Sequence, residues 1–266
     1  MQRRPNGFTL IELLVVISII ALLIGILLPA LGAARRSARQ VTNSTQLRGI
    51  HQGMVTYAQQ NKSFFPGVEG DGTFQAGLAP NPGVSFGGTP GLPTIGVAIM
   101  LNANSFTPEY ANNPNDGFVS PADLSGAAIV SILNLSYAML ELNEDATDIN
   151  TGNVMPNRDR AIEWSETLNT RAVIASDKNT GGNGVVGDLV SSVWTETNSG
   201  EWRGTVVRND NSTSFETTPV IETTSYGNGP DNEDDNLFLE DGSGGEVDND
   251  AAMIIETFGQ YDNHGV

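Results

Sequence analysis

The chain has 266 residues, no cysteine, and thirty-one Asp and Glu against thirteen Lys and Arg, which gives a net charge of −18. The absence of cysteine excludes disulfides and thiolate metal sites, and the acidic balance argues against nucleic-acid binding, which requires a basic face. The charge is unevenly divided: residues 1–40 hold five Arg and one Glu, whereas residues 41–266 hold eight Lys and Arg against thirty Asp and Glu, a net charge of −22.

The N-terminal segment combines a short basic leader, ending at Gly7, with an apolar helix predicted from Phe8 to Leu31. About 24 residues at ~1.5 Å each are enough to cross the ~30 Å core of a bilayer. Glu12 is the only acidic residue in this helix, and a charge inside a membrane span costs about 3 kcal/mol, so it requires a partner. Cleavage between Gly7 and Phe8 would create an α-ammonium one helical turn before Glu12, on the same face.

This segment resembles the N-terminal signal of the type IV pilin and type II secretion pseudopilin superfamily. The residues that match are Gly7, Phe8, Thr9, Leu10, Ile11, Glu12, Leu13 and Leu14, with helix breakers at Gly25 and Pro29. The resemblance implies that a prepilin peptidase cuts the Gly7–Phe8 bond on the cytoplasmic face and that Phe8 becomes N-methylated. It also implies a single pass through the inner membrane, with the remainder exported to the periplasm or the cell surface.

Two alternatives fit this segment less well. An ordinary secretory signal has a shorter apolar region and is cut after it, and a plain signal anchor has no need of Glu12. Counting charges leaves the orientation open, because arginines flank both ends of the apolar helix. The cleavage motif decides the orientation.

Pro29 is predicted to weaken the helix. Proline removes one backbone donor and clashes with the carbonyl four residues earlier, which here belongs to Gly25. Ala21 and Gly25 also form a small-xxx-small pair that lets helices approach closely. The segment is either a simple kink in a monomeric anchor or a segment that melts or stretches when the helix joins a filament, with Glu12, Gly25 and Pro29 as the assembly residues.

Residues 32–62 are predicted to continue the helix in amphipathic form, to about Gln60, with one face packed on a soluble domain. The apolar residues that recur at helical spacing are Val41, Leu47, Ile50, Met54, Tyr57 and Ala58. Residues 63–266 then form an exported acidic head. The predicted fold is α+β: a long N-terminal helix packed on an antiparallel β-sheet.

Local patterns in the head predict short elements. Helices are predicted at 94–102, at 127–133 after a Ser-Pro start, and at 160–168; strands are predicted at 136–140, 171–175, 237–239 and 251–258; and a hairpin is predicted at 205–216 around an Asx-rich turn. The strand at Ser136–Met139 resembles one in pseudopilin-like heads. The hairpin, with Trp202 and Gly204 before it, resembles the late hairpin of planctomycete-type pilin-like proteins.

Enzymatic signals are weak. Gly83, Ser85 and Gly87 match a hydrolase elbow, but Pro and Gly surround them and argue against the required strand and helix. The only histidines are His51, on the long helix, and His264, at the tail. The sequence therefore predicts a protein that is not an enzyme, with His51 at the interface between helix and head.

The acidic stretch from 231 to 250 is the best candidate for a metal site, and the metal would be calcium. Calcium is bound by six to eight oxygen ligands in flexible loops, although the spacing here is not that of an EF-hand. The candidate ligands are Asp231, Asp234, Asp235, Asp241, Asp248 and Asp250. A calcium loop near the C-terminus is also known in some pseudopilins; the alternative is a solvated acidic loop without an ion.

Calcium is expected to raise the melting temperature of a fragment lacking residues 1–35. At a concentration about one hundred times the dissociation constant, binding would add ~2.7 kcal/mol to the free energy of unfolding. Magnesium is expected to act much less, because it retains its waters. The paired change Asp234→Asn and Asp235→Asn is expected to abolish the shift without unfolding the metal-free head. Equal responses to both ions, removed by moderate salt, would show a bare acidic loop.

Three functions follow from these features. The first is a pseudopilin of a type II secretion-like machine, the second is a type IV pilus subunit, and the third is a monomeric exported binding module that uses the signal only as an anchor. For the first two, the resemblance implies as partners the prepilin peptidase, other pilin-like subunits and an inner-membrane assembly platform. Missing cysteines favour the pseudopilin, since many pilus subunits have a disulfide-closed loop.

Overall fold

The computed structural model describes residues 9–67, 84–85, 96–97, 99–101, 103–117, 128–129, 135–140, 143–147, 154–156, 162–180, 191–195, 200–227, 232–238 and 253–254. The chain forms two compact units, Met1–Val41 and Thr42–Val266. The second unit contains the last part of the long helix and the whole of the sheet.

Helix α1 runs from Leu10 to Ala58 over 49 residues and continues through Pro29. It begins two residues after the predicted start and ends close to the predicted one. Just beyond its end, Lys62 and Ser63 have φ values of 52° and 74°, a left-handed conformation that stops a helix from continuing. Whether Gly25 to Pro29 is a weak point on assembly stays a prediction.

The buried face of α1 confirms most of the amphipathic pattern. Its buried residues are Asn43, Leu47, Ile50, His51, Gly53, Met54 and Ala58. The prediction was wrong at Val41, which is 67% exposed, and Tyr57 is only half-buried. An apolar residue at the edge of the stripe was mistaken for part of the buried face, which begins two residues later at a polar residue, Asn43.

The strands are β1 Val84–Ser85, β2 Ala128–Ile129, β3 Tyr137–Leu140, β4 Asn143–Thr147, β5 Val154–Pro156, β6 Val173–Asp177, β7 Gly204–Arg208, β8 Thr213–Glu216, β9 Val220–Thr224, β10 Asn232–Asn236 and β11 Met253–Ile254. Five of them form the main sheet in the order β11-β3-β6-β7-β8, with antiparallel pairing throughout. Every residue of β3 and β6 is buried. The predicted α+β class is therefore confirmed.

Three two-stranded pairs complete the described strands: β1 with β2, β4 with β5, and β9 with β10. The first pair is parallel and the other two are antiparallel. The predicted hairpin is confirmed as β7 and β8, which pair from Gly204–Glu216 to Val207–Thr213. The predicted strands at 136–140 and 171–175 are confirmed as β3 and β6 within two residues.

Three local predictions were wrong for reasons of tertiary packing. Residues 128–129 form β2, not a helix, because they pair with β1. Of the described residues 162–168, only 162–163 are helical, since Ser165 forms a β-bridge with Phe64. Leu237 and Phe238 form a turn after β10; they are 0% and 3% exposed, so their apolar character reflects burial rather than a strand.

Two glycines let a loop lie close to α1. A Cβ on Gly49 would come within 2.5 Å of Tyr110, and one on Gly53 within 3.3 Å of Phe106. Because these glycines are four residues apart, they share one helix face. The residues from 103 to 117, which include a 3-10 turn at Pro108–Ala111, therefore pack directly on the helix backbone.

Candidate assembly site

The first turn of α1 is closed by reciprocal hydrogen bonds between Thr9 and Glu12. The Thr9 amide and hydroxyl donate to the Glu12 carboxylate at 2.9 and 2.7 Å, and the Glu12 amide lies 3.3 Å from the Thr9 hydroxyl oxygen. This arrangement is a capping box, and it explains why the helix starts after Thr9 rather than at Phe8. Glu12 thus has a structural role in addition to the charge pairing predicted for it.

The large apolar side chains from Leu10 to Leu31 form an exposed apolar surface along the first half of α1. They are between 46% and 84% exposed. Among the described residues, α1 is the one helix that is long and apolar enough to cross a membrane. An exposed apolar surface of this extent marks contact with a membrane or with other protein chains.

Gly25 lies on this surface without a packing reason within the described part of the chain. A Cβ added at Gly25 would meet no described atom within 4 Å. The side chain of Ser18 donates to the Val15 carbonyl at 2.8 Å, so it needs no external partner. The small size of Gly25 is therefore available for the close approach of another helix.

A buried carboxylate joins the packed half of α1 to the sheet. Asp177, at the end of β6, is fully buried and accepts four hydrogen bonds, one from α1, one from the 103–117 loop and two from elsewhere in the head. The donors are Asn43 Nδ2 at 2.8 Å, Asn113 Nδ2 at 2.6 Å, the Trp194 indole at 2.9 Å and the Thr205 amide at 2.7 Å. Burial raises the pKa of Asp177 to about 6, although the four donors lower it.

Tyr137 extends this network along the helix. Its hydroxyl lies 2.7 Å from Asn43 Oδ1 and 3.2 Å from Gln46 Oε1. Burial, followed by the charges of Asp177 and Asp116, raises the pKa of Tyr137 well above its ordinary value, so the hydroxyl remains a donor. Asn43 and Gln46, the two polar residues of α1 that face the sheet here, therefore both contact the Tyr137 hydroxyl.

An ion pair is buried next to this network. Lys178 Nζ lies 2.6 Å from Asp116 Oδ2, and the two side chains are 4% and 1% exposed. The Ser136 hydroxyl donates to the same carboxylate oxygen at 2.9 Å, and the ammonium also donates to the Leu135 carbonyl at 3.2 Å. A buried pair with its remaining groups bonded fixes the position of the 103–117 loop on the sheet.

A second buried carboxylate, Glu163, organises another part of the head. It accepts hydrogen bonds from Thr167 Oγ1 at 2.5 Å, Asn169 Nδ2 at 2.8 Å, Asn209 Nδ2 at 3.0 Å and the Gly227 amide at 3.0 Å. These donors come from three separate segments of the head, so Glu163 holds those segments together.

His51 lies at the interface between helix and head, as predicted. It is 1% exposed, its Nδ1 lies 3.3 Å from Asn211 Oδ1, and its ring contacts Phe65 edge-on at 5.6 Å. Burial lowers the pKa of His51 and outweighs Asn211, Asn209 and Asp210, which raise it. His51 is thus a neutral packing residue at neutral pH.

Only some of the other predicted site residues lie in the part of the chain that the structure describes. Gly7 and Phe8 lie outside the described residues, whereas Glu12, Gly25 and Pro29 lie on α1. The acidic stretch was interpreted as a loop, but Asp234 and Asp235 belong to β10, which pairs with β9.

The other four calcium candidates, Asp231, Asp241, Asp248 and Asp250, lie outside the described residues, as does His264. Within the part of the chain that the structure describes, no group of three or more His, Asp or Glu could hold a metal ion. Calcium binding therefore stays a prediction.

Sequence reasoning missed the capping residue and the buried polar network. Thr9 could have been found, because a Thr followed three residues later by Glu before an apolar run is a capping-box signature. Asn43 and Asp177 could not, because their partners are more than a hundred residues apart along the chain.

The N-terminal segment is similar to segments of known proteins. Residues 2–28 match the family model described as the prokaryotic N-terminal methylation motif. The chain is also 42% identical over 63 residues to the type IV wide pilus major component PilA4 of Thermus thermophilus, a match that covers 24% of this chain and 48% of the relative. The chain thus spans about half the length of the curated relative that it matches. No solved structure matches the chain.

Proposed function

We propose that the protein is a structural subunit of a pilin-like filament. Its prepilin-type N-terminal segment supports placing the chain in the type IV pilin superfamily. The observation that carries the proposal is the exposed apolar half of α1, with Glu12 capping its start. In the membrane lipid would cover this surface, and in a filament the helices of other copies would cover it. Its role is assembly, not catalysis.

The subunit is processed by a prepilin peptidase, enters a filament from an inner-membrane assembly platform, and carries its head on the exported side. The sequence favours a type II secretion pseudopilin, whereas the relative in Thermus thermophilus is named as a pilus component. The type IV pilus therefore has at least equal support, and the location of the filament distinguishes the two. A long surface filament indicates a pilus, and loss of protein secretion without surface filaments indicates a pseudopilus.

Replacing Gly7 with valine is expected to leave the leader attached. The peptidase needs a small residue before the cut, because an extended backbone must enter its site. Intact-mass measurement of protein from the native host reports this directly. Wild type is expected to lack Met1–Gly7 and to carry one methyl group on Phe8, whereas the valine variant is expected to retain the whole leader, residues 1–7.

Gly7→Ala is the matched control, because alanine is still small and cleavage is expected to persist. Wild-type protein that retains Met1–Gly7 in a cell containing the peptidase would contradict the proposed function. So would a chain that is cleaved but never sediments with filaments of any kind.

A further inference from the structure

Between its exposed apolar half and its buried half, α1 has a basic stretch. We call residues 32–42 the neck: none of them is buried, and the first buried residue of the helix is Asn43. At ~1.5 Å per residue the neck is about 16 Å long. It contains Arg35, Arg36 and Arg39, all exposed, and no acidic residue.

The head has the opposite charge. Residues 41–266 have a net charge of −22, and Glu109, Glu166 and Glu222 are among the described carboxylates on its surface. A filament brings many copies of this head together, and their like charges repel one another. Physiological salt screens charges only beyond about 8 Å, so acidic surfaces in contact still repel one another, and a basic group between them would relieve this repulsion.

We propose that the neck of one copy docks on the acidic head of a neighbouring copy in the filament. This inference rests on the proposed function and names the contact that holds neighbouring heads together. Arg35 and Arg39 are four residues apart and share a face of the helix, and Arg36 lies about 100° around it. Arginine suits this contact because its planar guanidinium binds a carboxylate through two parallel hydrogen bonds.

Anionic lipid headgroups are the other chemistry that would attract three arginines. The observations favour the head of a second copy. Arginines that bind the membrane surface are concentrated on the cytoplasmic side, whereas the neck follows the apolar half and lies on the exported side in the proposed topology. Each neighbouring copy brings a head with a net charge of −22 in fixed proportion to the three neck arginines.

The test compares two triple variants of the full chain in the native host. Arg35→Gln, Arg36→Gln and Arg39→Gln removes the charge, and the same three positions changed to Lys retain it. We expect at least a tenfold loss of sedimentable filament for the Gln variant and a clearly smaller loss for the Lys variant, which keeps the charge but not the two parallel hydrogen bonds, with equal amounts of both in the membrane. Equal filament yields from wild type and the Gln variant would overturn the proposal, as would a Gln variant that no longer enters the membrane.

A photoreactive amino acid in place of Ser37, which is exposed in the neck, identifies what the neck touches. We expect a covalent dimer in which a neck peptide is joined to a head peptide, and peptide mapping of a mixture of heavy- and light-isotope copies shows that two copies are involved. Crosslinks to lipid, to the head of the same copy, or only between necks would overturn the proposal. Absence of any filament from wild type would instead reject the proposed function.

Discussion

Replacing Asp177 with alanine is expected to lower the free energy of unfolding of the head by about 4 kcal/mol or more. The change leaves four donors, on Asn43, Asn113, Trp194 and Thr205, without their acceptor. Three of these residues are buried, and each unsatisfied buried group costs about 1–3 kcal/mol. Because a domain is stable by only about 5–15 kcal/mol, the variant is close to unfolding. Denaturant titration of the full chain in detergent, followed by tryptophan fluorescence, reports this, since all three tryptophans lie in the head.

Two control variants separate the carboxylate network from a general effect of mutation. Asp177→Asn keeps one acceptor oxygen and is expected to lose about half as much stability. Glu222→Ala removes an exposed carboxylate and is expected to change the stability by less than ~0.5 kcal/mol. If Asp177→Ala lowered the free energy of unfolding as little as Glu222→Ala, the conclusion that the Asp177 carboxylate stabilises the packing of α1 on the sheet would be wrong.

The difference in stability between wild type and Asp177→Asn is also expected to depend on pH. The folded-state pKa of Asp177, about 6, lies above the value of 3.8 for the unfolded chain. The stabilisation by its protonated form is therefore fully present below about pH 3.8 and is lost as the pH rises through about 6. The advantage of wild type over Asp177→Asn, whose side chain does not titrate, is expected to shrink between pH 4 and pH 7, by ~3 kcal/mol at most.

What could be predicted from the sequence is what depends on neighbouring residues. The cleavage motif, the helix period through Leu47, Ile50 and Met54, and the hairpin around Asn209–Asn211 are all local patterns, and the last two are present in the structure. Leu237 and Phe238 were misassigned because an apolar pair looks the same in a strand and in a buried turn.

Only part of the candidate site could be predicted, because the sequence reveals local patterns and not long-range contacts. Glu12 could be identified because its unusual position in an apolar helix needs no other part of the chain to be noticed. Asp177 follows an ordinary apolar strand, and only the fold brings Asn43 and Asn113 to its carboxylate. Long-range polar contacts of this kind carry no local signature.

Glu12→Leu is expected to abolish filament assembly while leaving membrane insertion intact or improved, because it removes a charge that costs about 3 kcal/mol inside the bilayer. The structure gives Glu12 two separable roles. Its carboxylate caps the first turn through Thr9, and its charge would pair with the α-ammonium that cleavage creates at Phe8, on its own or a neighbouring copy. The leucine variant loses both roles, so it cannot tell which of them assembly needs.

Two further variants separate the roles. Glu12→Gln keeps a capping side chain, since Gln serves at this position of a capping box, but it has no charge. Thr9→Val removes the capping hydroxyl and keeps the charge. If pairing with the new α-ammonium sets the register of each incoming helix, the Gln variant fails like the Leu variant and Thr9→Val still assembles. Filament yield by sedimentation, with membrane content as the reference, decides between them: normal filaments from Glu12→Gln would leave capping as the only role of Glu12, and normal filaments from Glu12→Leu would remove it from assembly altogether.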